Sequence, residues 1–288
     1  MLTHLLRRLG GSVLVLMCVS FITFAALATA PGDAADTLAG DSASREQAAE
    51  LRAEMGLEGP LLSRYGTFAW GVLTQADLGE SLISGRPVAG LLAERFPYTA
   101  LLALTAILLS AAAGMTIGTL AALRSGTLVD LGIMGLTGLG MAVPSFWSGL
   151  LLILVFSLKL DWLPIVGAGS ARHLILPAIT LALPTTAVIA RLMRSGLLET
   201  LGSDYVRTAH AKGLPRRQVL GRHVFRNSLL PVITLLGLHL GHLLGGSFIV
   251  ESIFGWPGLG RLVVQAIFDR DTPVVLGAAL MIAAISLF

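Results

Sequence analysis

The sequence predicts an all-α membrane protein with six transmembrane helices. Of its 288 residues, 55% are hydrophobic and only 13% are charged, which is too apolar for a water-soluble chain. Six runs without Asp, Glu, Lys or Arg are long enough, or nearly so, to cross about 30 Å of hydrocarbon as helices. Irregular backbone is excluded there because unpaired amides in lipid cost several kcal/mol. The runs are 9–30, 96–123, 131–158, 174–190, 227–250 and 272–288.

Composition also excludes several kinds of chemistry. The single cysteine, Cys18, rules out a disulfide scaffold and a multi-cysteine metal site. Neither lysine, Lys159 or Lys212, follows a glycine, so the phosphate-binding Gly-x4-Gly-Lys-Ser/Thr loop is absent. The chain is therefore predicted not to be an enzyme and to hold no cofactor. Its net charge of +3 reflects membrane topology and predicts no nucleic-acid partner.

The first span, in residues 1–30, fixes the predicted orientation. Arg7 and Arg8 precede it, and with a cytoplasmic N-terminus 11 Lys/Arg fall inside and 9 outside. Five of the outside residues lie in one long acidic loop, which counts little toward the positive-inside bias. A cleavable signal peptide ending at Ala30 is the alternative, although its 22-residue apolar run exceeds the usual ~7–15.

The second segment, 31–97, is an extracytoplasmic loop too long for a simple connector. Ser44 and Gln47 fit a capping box and Gly56 a helix stop, which predicts a short amphipathic helix between them. The segment is either a surface cap on the membrane or a small substrate-binding domain, and the 65 residues from Pro31 to Arg95 offer little core of their own. Aromatic residues suited to the headgroup interface follow at Tyr65, Phe68 and Trp70.

The remaining residues, 98–288, form a predicted five-helix core. Pro144 lies in the third span and Pro177 and Pro184 in the fourth, where each is expected to bend its helix. The last run offers only 16 helical residues, about 24 Å, so we expect the native chain to continue beyond Phe288.

The fifth span carries two patterns. Its glycines at 237, 241 and 245 are spaced by four and predict a smooth ridge for close helix packing. His239 and His242 share another face, either as neutral imidazoles hydrogen-bonded within the bundle or as metal ligands. Two ligands make no complete site, so no metal is predicted.

The segment 194–226, between the fourth and fifth spans, contains most of the predicted cytoplasmic charge. Asp204 can cap a helix, Gly213 supplies a left-handed stop and Pro215 prevents continuation. About two helical turns cannot persist in water unaided. This short helix must therefore dock against something.

Residues 204–213 (DYVRTAHAKG) and 222–231 (RHVFRNSLLP) resemble the cytoplasmic coupling loop, or EAA loop, of ABC importer permeases. The resemblance is greatest to the peptide, opine and nickel class, the dipeptide-permease-like proteins. The general loop begins Glu-Ala-Ala where this chain has Arg207, Thr208 and Ala209. Three other motifs agree with the class: DLGESL (77–82) with RPV (86–88), PSFW (144–147) and ESIFGWPGLGR (251–261).

The resemblance implies a type I ABC importer permease fold in a bacterial inner membrane. The implied partners are a second, homologous permease subunit, two cytoplasmic ATPase subunits that bind ATP and Mg²⁺, and an extracytoplasmic substrate-binding protein. The implied cargo is a di- or oligopeptide, and a nickel complex or opine-like metallophore is the alternative. The ATPase-coupling residues are Asp204, Tyr205, Arg207, Ala209, His210, Lys212 and Gly213.

The translocation pathway and the outer loop complete the predicted sites. The outer loop either dips toward the pore mouth, as the resemblance implies, or is a plain turn anchored at the interface by its indole. Its predicted residues are Trp256, Gly258 and Arg261. The predicted pathway residues are Pro144, Ser145, His239, His242, Ser247 and Glu251.

Two other classes of protein compete with the importer. An ion-gradient-driven secondary transporter would need buried carboxylates and an inverted repeat, and the charge-free runs contain no Asp or Glu. A membrane-embedded enzyme using His239 and His242 would need a third ligand or a general base at matching depth.

Overall fold

The computed structural model describes residues 2–29, 32–39, 45–55, 57, 59–245 and 247–287. The predicted helix signals Ser44 and Gly56, the cleavage-site residue Ala30 and the terminal Phe288 lie outside these residues. Two compact units make up the chain. They are Met1–Thr99 with Leu244–Phe248 and Pro257–Phe288, and Ala100–Leu243 with Ile249–Trp256.

The first unit holds the N-terminal helices and the last helix of the chain. α1 packs along both α14 and α4, and the core forms where the start of α5 meets α13 and α14. A helix, α3, is present where the sequence predicts a short amphipathic one. The helices are α1 Leu2–Thr29, α2 Ala34–Ala39, α3 Arg45–Glu54, α4 Leu61–Gln75, the beginning of α5 Val88–Leu123, and further along the chain α13 Leu259–Phe268 and α14 Thr272–Leu287.

The second unit holds the rest of α5 and the helices between it and α13. Two π-helical segments, Ile153–Lys159 and Val219–Phe225, continue α7 and α10. The helices are α6 Leu128–Ala142, α7 Ser145–Leu152, α8 Ala171–Leu201, α9 Asp204–Ala211, α10 Arg216–Gln218, α11 Arg226–Leu244 and most of α12 Phe248–Ile253.

Within the described residues, four continuous helical stretches are long and apolar enough to cross a membrane. The third predicted span is instead two helices, since α6 and the Ser145–Lys159 stretch meet at 103° across Pro144. Pro177 and Pro184 do not interrupt α8. Proline is tolerated at a helix start but removes one hydrogen bond in an interior, which the packing of a long helix can absorb. The sixth span corresponds to α14, only 16 residues long.

Segment 31–97 is tied to α1 by side-chain contacts of Tyr65. The Tyr65 hydroxyl lies 3.0 Å from the Met17 carbonyl oxygen and 2.9 Å from Ser20 Oγ. Its ring meets Phe21 edge-on at 5.1 Å. Tyr65 is half-buried against α1, whereas Trp70 is exposed.

Arg52 of α3 forms ion pairs with two aspartates at the start of α2. Its Nε donates to Asp33 Oδ2 at 2.6 Å, and a second nitrogen pairs with Asp36. Partial burial opposes ionisation of Asp33, but the hydrogen bonds from Arg52 and from the Asp36 amide outweigh it and lower the pKa of Asp33. The ion pair between Arg52 and Asp33 therefore weakens as pH falls through the lowered pKa of Asp33.

The DLGESL motif is a tight loop held by a buried carboxylate. The Ser81 amide donates to the Arg86 carbonyl at 2.9 Å, which closes the loop. Buried Asp271, just before α14, accepts the Ser81 hydroxyl at 2.5 Å and the Leu82 amide at 3.1 Å. The motif thus fixes the chain entering α5 to the start of the last helix.

Two glycines bring α5 and α8 into close contact in the second unit. A β-carbon at Gly118 would lie 2.4 Å from the carbonyl oxygen of Ala190, and one at Gly114 would lie 2.7 Å from Ile189 Cβ. Two glycines four residues apart let two backbones touch. The ridge predicted on α11 is different, because a β-carbon at Gly237 or Gly241 would meet nothing within 4 Å in the described chain.

Candidate functional site

The short helix α9 docks against its own chain. Val206 and Ala209 are buried and pack in one cluster with Val219 and Val224 of the second π-helical segment. Residues three apart share a helix face, so this pair presents one apolar side. The docking partner that so short a helix requires is therefore at least partly internal. Ala209 was predicted as an ATPase-coupling residue, but it lies on the buried face.

The structure confirms the predicted stop of α9 at Gly213 but not the predicted cap at Asp204. Gly213 has φ +77°, the left-handed conformation expected of a glycine stop. At the other end Ser203 is the capping residue, and Asp204 is the first residue of the helix. Asp204 was predicted as the cap. Its carboxylate still favours the positive end of the helix dipole, and it lies 3.5 Å from Arg207 in an exposed pair.

The outer face of α9 is polar and open to solvent. Tyr205 accepts a hydrogen bond from Asn227 Nδ2 at 2.8 Å, which links this face to the start of α11. A second link joins Ser228 and Thr200, whose hydroxyl oxygens are 3.2 Å apart. The first bond fixes α9 to α11, and the second joins α11 to α8, the two spans on either side of α9. Its exposed predicted residues are Asp204, Tyr205, Arg207, His210, Lys212 and Gly213.

A buried ion pair, which the sequence did not predict, joins α8 to α6. Arg194 donates to both carboxylate oxygens of Asp130 at 2.6 Å. Asp130 is buried and also accepts the Gly126 amide at 3.1 Å. One turn away, Arg191 donates to Thr137 Oγ1 at 3.1 Å. These arginines had been counted only as positive-inside charges, and the sequence signal was the lone carboxylate at the edge of an apolar run.

We expect Asp130→Ala to lower the free energy of unfolding by about 2–3 kcal/mol, because it leaves a half-buried guanidinium without its carboxylate. The matched control is Asp204→Ala, which breaks an exposed pair worth at most about 0.5 kcal/mol. Thermal unfolding in a mild detergent measures both. Equal losses from the two variants would contradict the proposed strength of the buried pair.

The predicted pathway residues differ in their exposure. Pro144 is exposed, Ser145 and Ser247 are half-buried, and Glu251 has 0% exposure. A pathway side chain must be reachable by solute, and Glu251 is fully buried in this structure.

The two histidines of α11 differ in their surroundings. His239 Nδ1 lies 3.3 Å from Thr185 Oγ1 of α8, as the interpretation of hydrogen-bonded imidazoles requires. His242 is exposed. No group of three His, Cys, Asp or Glu side chains that could hold a metal ion occurs in the described part of the chain.

The outer loop joins the short helix α12 to α13. α12 ends in a turn at Gly255, and Gly258 is the capping residue of α13. Trp256 is only 2% exposed, so the interpretation of an indole anchored at the lipid interface is wrong. The loop is also bonded to a neighbouring connection, since the Gly167 amide donates to the Phe254 carbonyl at 3.0 Å. Arg261 is half-buried on α13.

Comparisons with known families cover nearly the whole chain. Residues 114–288 match the family described as binding-protein-dependent transport system inner membrane component. Residues 1–103 match the N-terminal family of the same membrane components.

Individual relatives are similar over almost their full length. One is a peptide transport system permease protein of Brucella suis biovar 1 (strain 1330), 41% identical over 96% of this chain and 91% of that protein. Another is the glutathione transport system permease protein GsiC of Salmonella choleraesuis (strain SC-B67), 41% identical over 98% of this chain and 92% of the relative.

Two solved structures share the fold at low sequence identity. A crystal structure of an amino acid ABC transporter with histidines covers 69% of this chain and 86% of its own, with a TM-score of 0.52 and 19% identity. The match to the inward-facing MetNI methionine ABC transporter covers 68% of this chain and 92% of that chain, with a TM-score of 0.52 and 16% identity.

Proposed function

The chain belongs to the family of binding-protein-dependent transport system inner membrane components, and from that premise we propose that its cargo is a di- or oligopeptide. It is a multi-pass permease subunit of an ABC importer. The observation that carries the cargo proposal is 41% identity, over 96% of the chain, to a protein named as a peptide transport permease. The glutathione permease at the same identity transports, by its name, a small peptide too. No observation specifically favours nickel.

The proposed ATPase contact is the exposed face of α9. Arg207 and Lys212 give this face positive charge, and Tyr205 adds an aromatic ring. Val206 and Ala209 hold the helix against its own chain, so a push on the outer face is passed to the spans on either side. We propose that two partner ATPase subunits, which bind ATP and Mg²⁺, contact this helix and its counterpart on a second permease subunit.

Movement of α9 would carry α8 and α6 together. The pair between Arg194 and Asp130 and the bond from Arg191 to Thr137 fix α8 to α6. ATP shifts the access equilibrium only if the closed ATPase pair binds the outward-open form better than the inward-open form. A helix fixed at both ends transmits that preference, whereas a mobile loop would not.

The second permease subunit is proposed to cover α11. This helix exposes Leu230, Ile233 and Leu238, and Gly237 and Gly241 meet no neighbour in the described chain. A smooth glycine face beside exposed apolar side chains favours close helix packing in lipid. The N-terminus is proposed to be cytoplasmic from the positive-inside bias, with the binding protein on the opposite side.

Uptake into proteoliposomes tests the function. The permease is reconstituted with its partner permease, ATPases and binding protein, and given labelled dipeptide, glutathione or nickel chelate in separate assays. Peptide uptake should require ATP and binding protein and should persist when an ionophore collapses ion gradients. Uptake that continues without ATP and stops with the ionophore would contradict the proposal, and nickel uptake alone would replace the cargo.

A further inference from the structure

Among the residues that the structure describes, five cations near α9 form no ion pair with a carboxylate. No Asp or Glu occurs from residue 205 to residue 250. Of the basic residues between 191 and 226, Arg191 and Arg194 bond to α6 and Arg207 pairs with Asp204. No ion pair is formed by the others within the described residues. They are Lys212, Arg216, Arg217, Arg222 and Arg226, and all are exposed.

The π-helical segment Val219–Phe225 arranges part of this charge on one side. Residues five apart share a face in a π-helix. Val219 and Val224 are five apart and are both fully buried. Arg222 lies within this segment and is exposed, Arg217 precedes the segment in α10 and is also exposed, and exposed Arg226 follows four residues after Arg222, where the α-helix resumes. We name Arg217, Arg222 and Arg226 the arginine stripe.

The stripe lies where α11 enters the membrane. Residues 227–244 contain 18 residues without Asp, Glu, Lys or Arg, about 27 Å of helix, close to the hydrocarbon thickness. Arg226 then lies at the edge of the hydrocarbon. Arg222 lies on the order of 6 Å farther out, which is the depth of the polar headgroups.

We propose that the arginine stripe binds the phosphate of an anionic phospholipid in the leaflet on the α9 side. A guanidinium donates paired hydrogen bonds to phosphate oxygens, and its charge complements a headgroup that carries net negative charge. The ATPase contact proposed above is the exposed face of α9, whereas Arg226 is the first residue of α11. The site is separate from cargo transport and would hold α11 in position while α9 is moved.

Lipid binding to the purified full-length permease, with its co-purified subunits, tests this site. The probes are phosphatidylglycerol and phosphatidylcholine with identical acyl chains, measured by native mass spectrometry. Phosphatidylglycerol should bind more tightly, and R222Q with R226Q should weaken it about fivefold per arginine, while phosphatidylcholine binding stays unchanged. R172Q, which removes an exposed cation at the opposite end of α8, should change neither.

Two further comparisons distinguish a lipid site from a site for free phosphate or for the soluble partner. R222K with R226K keeps the charge, and it should retain most of the phosphatidylglycerol binding if folding is intact. Inorganic phosphate should not compete with the lipid. An unchanged lipid preference in R222Q with R226Q would overturn the proposal, and so would full competition by phosphate. Loss of ATPase association with lipid binding intact would assign the stripe to the soluble partner instead.

Discussion

Replacement of Gly118 by leucine is expected to abolish accumulation of folded protein. A β-carbon at this position would lie 2.4 Å from the Ala190 carbonyl oxygen and 2.8 Å from Met193 Cβ. The first of these atoms is backbone, so no rotamer change can relieve the overlap. α5 and α8 would have to separate and lose the close contact that the glycines of α5 permit.

Alanine variants isolate the effect of the single added carbon. Gly118→Ala should lower the free energy of unfolding by about 1–3 kcal/mol through overpacking. Gly132→Ala on α6 is the matched control, because a β-carbon there meets nothing within 4 Å. That change should be neutral or stabilise by up to about 1 kcal/mol, since alanine favours a helix interior.

Yield in mild detergent, size-exclusion profile and thermal unfolding measure these variants. The informative result is the opposite sign of the two alanine substitutions, because both are glycines of membrane helices. If Gly118→Ala is as stable as Gly132→Ala, α5 and α8 do not pack this closely.

Charge reversal on the outer face of α9 is expected to lower peptide uptake at least about tenfold while the permease stays folded. The variant is Arg207→Glu with Lys212→Glu. Both side chains are exposed, and the single pair that is lost, with Asp204, is 3.5 Å long and contributes little to folding. An acidic partner surface that accepts the native charge would repel the reversed one.

The control carries the same change in charge elsewhere. Lys159→Glu with Arg172→Glu reverses two exposed cations that lie outside α9. ATP-driven uptake, expression and ATPase association are measured for both variants. Normal uptake by the α9 variant at normal expression would refute the coupling role.

A backbone change gives an independent test of the same helix. Gly213→Pro cannot keep φ at +77°, because proline fixes φ near −65°. The chain leaving α9 must then turn elsewhere, and the exposed face should no longer match its partner. We expect uptake to fall with membrane insertion intact, whereas Gly221→Ala, at an exposed glycine of the π-helical segment, should have little effect.

Class, family and the place of α9 were predictable from the sequence. Charge-free runs locate membrane helices because hydrocarbon excludes charge, and this holds wherever the neighbours lie. The stop at Gly213 was predictable because a left-handed residue with no β-carbon is a local requirement. Family motifs such as DLGESL could be identified from the sequence. The contact of this motif with Asp271 could not be predicted, because Asp271 lies 190 residues from Ser81 along the chain.

Distance along the chain also explains the contacts that the sequence did not predict. The close contact at Gly114 and Gly118 was missed, and the glycines of α11 meet no neighbour within the described chain, because spacing alone does not say which ridge packs against which helix. Trp256 looked like an interfacial anchor and is buried. The carboxylate of Asp130 and the guanidinium of Arg194 were both visible, but 64 residues separate them.

By itself the sequence determined that this chain spans a membrane, which family it belongs to and where the short helix lies. Only the tertiary structure decided which face of that helix is free. Val219 and Val224 align beneath α9 because the backbone there adopts i→i+5 spacing, which a 3.6-residue period does not anticipate. The local sequence determines the backbone conformation of a segment and whether that segment lies in lipid or in water. The residues that cover each buried face lie far along the chain.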